Sequence, residues 1–179
     1  MVPSHRVFLA CTASLMLLSC VSKYSLDRQM QSGVIPPNAW IYVSVPESGR
    51  YGNYLYEASG WQTRDAVAQA FIPHVARVLV AKRVEPVDVA RASARAETAT
   101  HLVFSEIKHW EDRATEWSGL PDRITIQIRI YEVDSGKLLD SAEVSGKSRW
   151  ATFGGDHPQD LLDRAVGDYV DLLFSGGRR

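Results

Sequence analysis

The sequence predicts a single α/β (α+β) domain: a mixed sheet of about five strands covered by three helices, in the order β-α-β-α-β-β-β-α. Four isoleucines at residues 124–130 alternate with polar residues, which is typical of a strand with one buried face. Two helix-periodic segments precede this strand, and each is followed by a short apolar segment of strand length. No internal repeat or change of composition divides the chain, so we expect one domain over residues 39–175.

The first strand is predicted at the start of this domain. Ile41, Val43 and Val45 share one face of an extended segment, and Pro46 ends it. Residues 46–62, which include four aromatic side chains, are predicted to form a loop.

Two helices with a short strand between them follow the loop. Thr63 is predicted to cap a helix to about Arg77, with a kink or an early end at Pro73, because proline lacks the N–H that an inner helical turn needs. Residues 78–81 are predicted to form the short strand, and residues 87–98 the second helix, with a small alanine face.

The last part of the chain predicts three strands and a helix. Residues 101–107 contain a continuous apolar run, as in a central strand. The turn residues 134–137 join the isoleucine strand to a returning strand at 138–147. Asp156 is placed to cap a final helix that ends near Phe174, and residues 176–179 are predicted to be a tail.

The composition excludes several classes of function. The chain has 179 residues and a formal net charge of −1. This charge argues against binding to nucleic acid, which requires a basic surface. Its two cysteines are Cys11 and Cys20. We assign no catalytic residue, metal or cofactor, because the sequence motifs of zinc proteases, elbow-type serine hydrolases and P-loop or dinucleotide enzymes are absent.

The amino terminus has the layout of a secretion signal. His5 and Arg6 precede an uncharged apolar run at residues 7–18. That run is shorter than the roughly 20 residues needed to cross a bilayer. It ends in Leu17-Leu18-Ser19-Cys20, which resembles the lipobox of bacterial lipoproteins. The resemblance implies removal of residues 1–19 and attachment of lipid to Cys20.

Lipidation at Cys20 would define where the protein is held. Two or three acyl chains anchor a protein stably on a membrane. In lipoproteins of this kind, an Asp directly after the lipidated cysteine retains the protein in the inner membrane. Residue 21 is Val, so the resemblance implies sorting to the outer membrane, with the domain facing the periplasm. Residues 20–38 are mostly polar and are predicted to be a flexible tether. The cleaved chain would contain no further thiol, which excludes cysteine catalysis and thiolate metal sites.

A candidate interaction surface comes from two aromatic, charged segments. Residues 109–123 join two strands that should form a hairpin, and this connection is long for that role. The alternative is a loop closed on itself by acid–arginine pairs, with its tryptophans covering the sheet edge. The predicted surface comprises Tyr51, Tyr54, Trp61, Trp110, Glu111, Asp112, Arg113, Glu116, Trp117, Asp122 and Arg123.

A second compact motif precedes the final helix. Gly154, Gly155, Asp156 and His157 are expected to form a turn and a structural helix cap, and the same residues leave an anion site open as the alternative.

The motifs also carry a family resemblance. The segments 42–52, Trp110–Gly119 (WEDRATEWSG) and 150–162, which contains GGDHPQDLL, resemble an uncharacterised family of proteobacterial lipoproteins with a domain of unknown function. The order of elements is more loosely similar to the amino-terminal domain of TolB and to the periplasmic domains of LpoB and CsgG. This looser likeness implies work by contact with other proteins, and it is an analogy of topology alone.

These observations predict an outer-membrane-anchored periplasmic lipoprotein, not an enzyme, that serves an envelope assembly as an accessory or scaffold for a protein partner still to be identified. One alternative is a periplasmic hydrolase or metal-dependent enzyme using Asp112, Glu116, Asp156 and His157, which requires the two motifs to lie within about 10 Å of each other. A second alternative is binding to peptidoglycan through aromatic side chains.

Overall fold

A six-stranded sheet forms the centre of the protein in the computed structural model, which describes residues 22–113, 120–148 and 157–175. A separate two-stranded hairpin, β3 and β4, lies in the segment predicted as a loop. The strands are β1 (Lys23–Gln31), β2 (Trp40–Val45), β3 (Arg50–Tyr51), β4 (Tyr54–Leu55), β5 (Arg77–Val84), β6 (His101–Glu111), β7 (Arg123–Glu132) and β8 (Leu138–Lys147). The helices are α1 (Ser59–Phe71), α2 (Val87–Ala96) and α3 (Pro158–Ser175).

The sheet is mixed, as predicted, and has one strand more than the five expected. Its strand order is β1-β8-β7-β6-β2-β5. The strand β2, next to the edge strand β5, pairs in parallel with both β5 and β6, and the pairs from β6 through β7 and β8 to β1 are antiparallel. The two parallel crossovers place α1 and α2 against the sheet, and the antiparallel half is built from hairpins.

The strand β1 corrects the predicted tether. Residues 23–31 pair with β8 instead of remaining flexible. Tyr24, Leu26 and Arg28 are half-buried and alternate with exposed residues, and the guanidinium of Arg164 in α3 covers the Tyr24 ring. An edge strand that is covered on one face needs few apolar residues. The segment is therefore mostly polar, and the alternation of half-buried and exposed side chains along it does not stand out in the sequence.

The helices cover both faces of the sheet. On one face, α1 and α3 pack together over the larger core, which includes the isoleucines of β7, Phe71 and Tyr169. On the other face, Ala90 and Ala94 of α2 pack against Tyr42 and Leu102 in a smaller core. Within the described ranges, no helix has the length and apolar character needed to cross a bilayer.

Several boundaries differ from the prediction. The helix α1 starts at Ser59, so Thr63 lies inside it and is buried rather than capping it. Of the two outcomes predicted at Pro73, the early end is observed, because α1 stops at Phe71. The strand β6 continues to Glu111, into the segment predicted as loop. The helix α3 begins at Pro158, and its predicted cap, Asp156, lies outside the described residues.

Candidate functional site

The end of strand β6 carries the main candidate site. His109, Trp110 and Glu111 are paired with β7, and Trp110 lies directly opposite Ile124. The Trp110 ring is buried in the larger core. The prediction of Trp110 as a surface contact is therefore wrong, because this tryptophan anchors the hairpin from inside. The sequence contains a signal for this burial. The alternation of β7 begins at Ile124, so a β6 strand that pairs with all of β7 must extend as far as Trp110.

Glu111 is the centre of a polar network at this end of the sheet. Its carboxylate is buried, bonds to His109 Nε2 at 3.1 Å and forms an ion pair with the guanidinium of Arg113. Burial raises the pKa of Glu111, but the hydrogen bonds from His109 and Arg113 outweigh burial and hold the pKa below its usual range. Because the carboxylate is charged and already paired, Glu111 orders the network rather than offering a free contact group.

Tyr51 extends this network to the surface. The Arg113 Nη2 donates to the Tyr51 hydroxyl at 2.8 Å, and the guanidinium lies over the same ring. The Tyr51 ring meets the His109 imidazole edge-on, with the centroids 5.5 Å apart. These contacts hold the β3–β4 hairpin against β6 and leave one side of Tyr51 exposed.

Tyr56 fixes the backbone of Asp112. Its hydroxyl accepts the Asp112 N–H and donates to the Asp112 carbonyl, each at 3.2 Å. The exposed Tyr54 ring packs edge-on against Tyr56, with a centroid distance of 4.7 Å. Tyr56 was not among the predicted site residues, because nothing in the sequence relates it to a residue 56 positions later.

Asp122 is the most deeply buried acid of the site. Its Oδ1 accepts the Arg113 backbone N–H at 2.6 Å. Asp122 and Ser148 also bond to each other twice: the Asp122 N–H donates to Ser148 Oγ at 2.9 Å, and the Ser148 N–H donates to the Asp122 carbonyl at 3.0 Å. Burial and the nearby charge of Asp112 raise the pKa of Asp122 above its usual range, more than the Arg113 N–H lowers it.

The two sequence motifs meet at His157. Its Nδ1 lies 3.7 Å from Asp112 Oδ1, and donor atoms of Asp112, Asp122 and His157 all lie within 4.8 Å of one another. The His157 backbone N–H donates to Asp160 Oδ2 at 2.9 Å, which orders the first turn of α3. The hydrolase or metal-dependent enzyme alternative requires the two motifs to lie within about 10 Å of each other, and Asp112 and His157 meet that condition. Among the described residues, these three side chains form a group that could hold a metal ion.

The predicted site residues fall into four groups. Trp110, Glu111 and Asp122 are buried and support the site from beneath, which corrects their prediction as contact residues. Trp61 is exposed on α1, where Arg64 covers its ring, and Arg123 is exposed at the start of β7. The residues that lie outside the described ranges are Cys20, Glu116, Trp117, Gly154, Gly155 and Asp156.

The four exposed residues that remain lie together with the half-buried Arg113 at this end of the sheet, and we name this group the tyrosine–acid patch. It consists of Tyr51, Tyr54, Asp112, Arg113 and His157, linked by the contacts described above. The patch offers aromatic rings, one guanidinium, one carboxylate and one imidazole. These groups suit recognition of a polar partner, because tyrosine and arginine are enriched where proteins meet.

The fold and this patch define a single-domain α+β protein with its polar groups gathered at one end of a mixed sheet. The family defined by the domain of unknown function DUF4823 matches residues 34–173. The chain belongs to this family, which agrees with the resemblance inferred from its motifs. A search of curated protein sequences gives no match.

Two solved structures of PelC share the fold at low sequence identity. The PelC dodecamer from Paraburkholderia phytofirmans matches with a TM-score of 0.64 and 12% identity, over 86% of this chain and 97% of that chain. A variant of the same PelC dodecamer gives 0.61 and 13%, over 86% and 98%. The LpoB C-terminal domain from Salmonella enterica gives 0.43 and 11%, over 64% and 86%. At these identities the likeness to the two PelC structures is one of fold alone.

Proposed function

We propose that this protein is a lipid-anchored protein of the bacterial cell envelope that serves as an accessory or scaffold by contact with other proteins, beginning with copies of itself. The observation that carries this proposal is the fold shared with the PelC subunit over 97% of that chain, because that subunit forms a dodecamer. The proposal needs no reaction at the tyrosine–acid patch, which acts as a contact surface.

The proposed anchor is the lipobox cysteine, and its spacer is short. Only Val21 and Ser22 separate Cys20 from Lys23, the first residue of β1. Three residue steps span at most about 10 Å. A lipid on Cys20 would therefore hold the sheet close to the headgroups, and we propose that partners are met at the inner surface of the outer membrane.

The proposed contact chemistry follows from the patch. Tyr54 is 65% exposed although it is aromatic, and Tyr51 is 41% exposed. The hydrogen bonds and ring contacts beneath them restrict both side chains, so binding a partner would cost little side-chain entropy. A rigid tyrosine pair beside an arginine is a suitable anchor for another protein surface.

The anchor is tested with two matched cysteine variants of the full chain. We expect the protein of the original sequence and its Cys11→Ser variant to fractionate with outer membranes and to carry acyl mass on Cys20. Cys20→Ser should lose both properties, because the acceptor thiol is gone. Intact-mass measurement and membrane fractionation provide the readout. Two results would contradict the anchor: a Cys20→Ser protein that stays membrane-bound, or a protein of the original sequence that carries no acyl mass.

Self-assembly is tested by light scattering and native mass spectrometry of the detergent-solubilised full chain. We expect assemblies of several copies, and we expect Tyr54→Ser to shift them to smaller species. Leu172→Ser is the matched control, since Leu172 is an exposed apolar residue on α3 outside the patch. A single-copy mass for the unmodified chain over a hundredfold concentration range would rule out assembly with itself.

A further inference from the structure

We propose that Asp112, Asp122 and His157 bind a divalent transition-metal ion of the zinc class. The three residues come from three separate parts of the fold: the end of β6, the approach to β7 and the residue before α3. Their donor atoms are two carboxylate oxygens and one imidazole nitrogen, all within 4.8 Å of one another. This site goes beyond the proposed scaffold function and does not depend on it.

The spacing of the donor atoms suits a shared ion. Three atoms within 4.8 Å of each other can all lie within about 2.8 Å of one point, and zinc bonds to oxygen and nitrogen are about 2.0–2.2 Å long. The 3.7 Å between His157 Nδ1 and Asp112 Oδ1 is too long for a good hydrogen bond and close to the roughly 3.3 Å that separates two ligands of a tetrahedral zinc ion. Small side-chain movements would therefore complete the coordination.

Each proposed ligand is held in place from behind, as metal ligands usually are. The Arg113 N–H donates to Asp122 Oδ1, and two bonds with Ser148 fix the Asp122 backbone. The Tyr56 hydroxyl fixes the backbone of Asp112 on both sides. The His157 N–H is bound by Asp160, which sets the position of His157 at the start of α3. Among the described residues, these contacts use backbone groups and the Oδ1 atom of Asp122.

The charge balance also favours a cation. Asp122 is 1% exposed and lies beside the carboxylate of Asp112. Two neighbouring carboxylates repel each other, and the repulsion is screened less when one of them is buried. The guanidinium of Arg113 is engaged by Glu111 and Tyr51, and Asp122 receives the Arg113 backbone N–H instead. A doubly charged ion would compensate both acids at once.

The ligand set indicates the class of ion. One imidazole and two carboxylates suit zinc and its neighbours, whereas calcium takes six to eight oxygen ligands and magnesium retains several waters. Binding through Nδ1 places the remaining proton of His157 on Nε2. Three protein ligands leave at least one coordination position for water or for a partner's side chain.

The test uses the full chain in detergent with Cys11→Ser and Cys20→Ser, so that thiols do not bind zinc. Competition with a chromophoric chelator measures the affinity and the stoichiometry for Zn²⁺. We expect one ion per chain, and a rise in unfolding temperature with Zn²⁺ that an equal concentration of Mg²⁺ does not produce. His157→Gln and Asp112→Asn should each weaken binding at least tenfold.

His74→Gln is the matched control. Its Nε2 lies 3.2 Å from Asp171 Oδ1, a histidine–acid pair that is not part of the three-residue group, so its loss should leave zinc affinity unchanged. Circular dichroism of each variant confirms that the fold is retained. Failure of the parent to bind one Zn²⁺, or a His157→Gln affinity within twofold of the parent, would overturn the site.

Discussion

Thr63 and Ser59 show how differently two buried hydroxyls on one helix can act. Both side chains belong to α1 and both are buried. The Ser59 Oγ accepts the Gly49 N–H at 2.8 Å and donates to the Tyr56 carbonyl at 2.7 Å. The Thr63 Oγ1 has no hydrogen-bond partner among the described residues. A buried hydroxyl without a partner costs free energy, whereas a paired one contributes stability.

Thr63→Val should therefore stabilise the protein. Valine keeps the shape and β-branching of threonine and removes the unpaired oxygen, so we expect the free energy of unfolding to rise by about 1 kcal/mol and the unfolding temperature by about 2–4 °C. Urea denaturation measures the change. Ser59→Ala, the control on the same helix, should lower the free energy of unfolding by about 1–3 kcal/mol. A destabilised Thr63→Val protein would show that the hydroxyl is bonded.

At the scale of the element, Gly60 and Gly167 occupy helices for different reasons. A Cβ added to Gly60 would lie 2.4 Å from the carbonyl oxygen of Pro46, while one added to Gly167 meets no atom within 4 Å. The absence of a side chain at Gly60 lets α1 approach the chain that leaves β2. Gly167 has no such role, so it only lowers the helical propensity of α3.

The two alanine substitutions should therefore act in opposite directions. Gly167→Ala should raise the free energy of unfolding by about 1 kcal/mol, the difference in helix propensity. Gly60→Ala should lower it by about 1–3 kcal/mol, because the backbone oxygen of Pro46 must shift. Paired urea titrations measure both. Equal shifts of the same sign would refute the close-approach argument.

An element can be predicted from the sequence when a local pattern of residues determines it, and not when contacts between distant parts of the chain determine it. The β7 strand follows directly from its alternating isoleucines, because its burial pattern is local. The start of α1 does not, since Ser59 and Gly60 are typical turn residues and their contacts with Gly49 and Pro46 arise from tertiary structure. The site divides in the same way. Asp112 and His157 belong to conspicuous motifs, but their approach to Asp122 arises from tertiary structure.

At the scale of the whole molecule, one polar cluster joins three elements. Asp140 of β8 is 2% exposed. It accepts Arg28 Nε of β1 at 2.9 Å and the Tyr169 hydroxyl of α3 at 2.8 Å. The cluster ties the edge strand and the last helix to the same carboxylate. Removing the cation would leave a buried charge with one neutral donor.

Arg28→Met should accordingly lower the free energy of unfolding by about 3–5 kcal/mol, although Arg28 lies in the segment predicted to be a tether. Lys23→Met, an exposed change on the same strand, should alter it by less than about 0.5 kcal/mol. Chemical denaturation of the full chain provides the measurement. An Arg28→Met protein with unchanged stability would contradict a stabilising role for the Arg28–Asp140 ion pair.

The pairing of β1 with β8 also sets an order of events during folding. Arg28 and Asp140 are 112 positions apart, so the strand nearest the amino terminus finds its neighbour only when that much more of the polypeptide is available. Closing so large a loop is entropically costly and slows folding. Until it closes, the free edge of β8 presents unpaired backbone groups to any other extended chain. We infer that docking of β1 is a late step, and that the interval before it is when this protein is most exposed to pairing with the wrong strand.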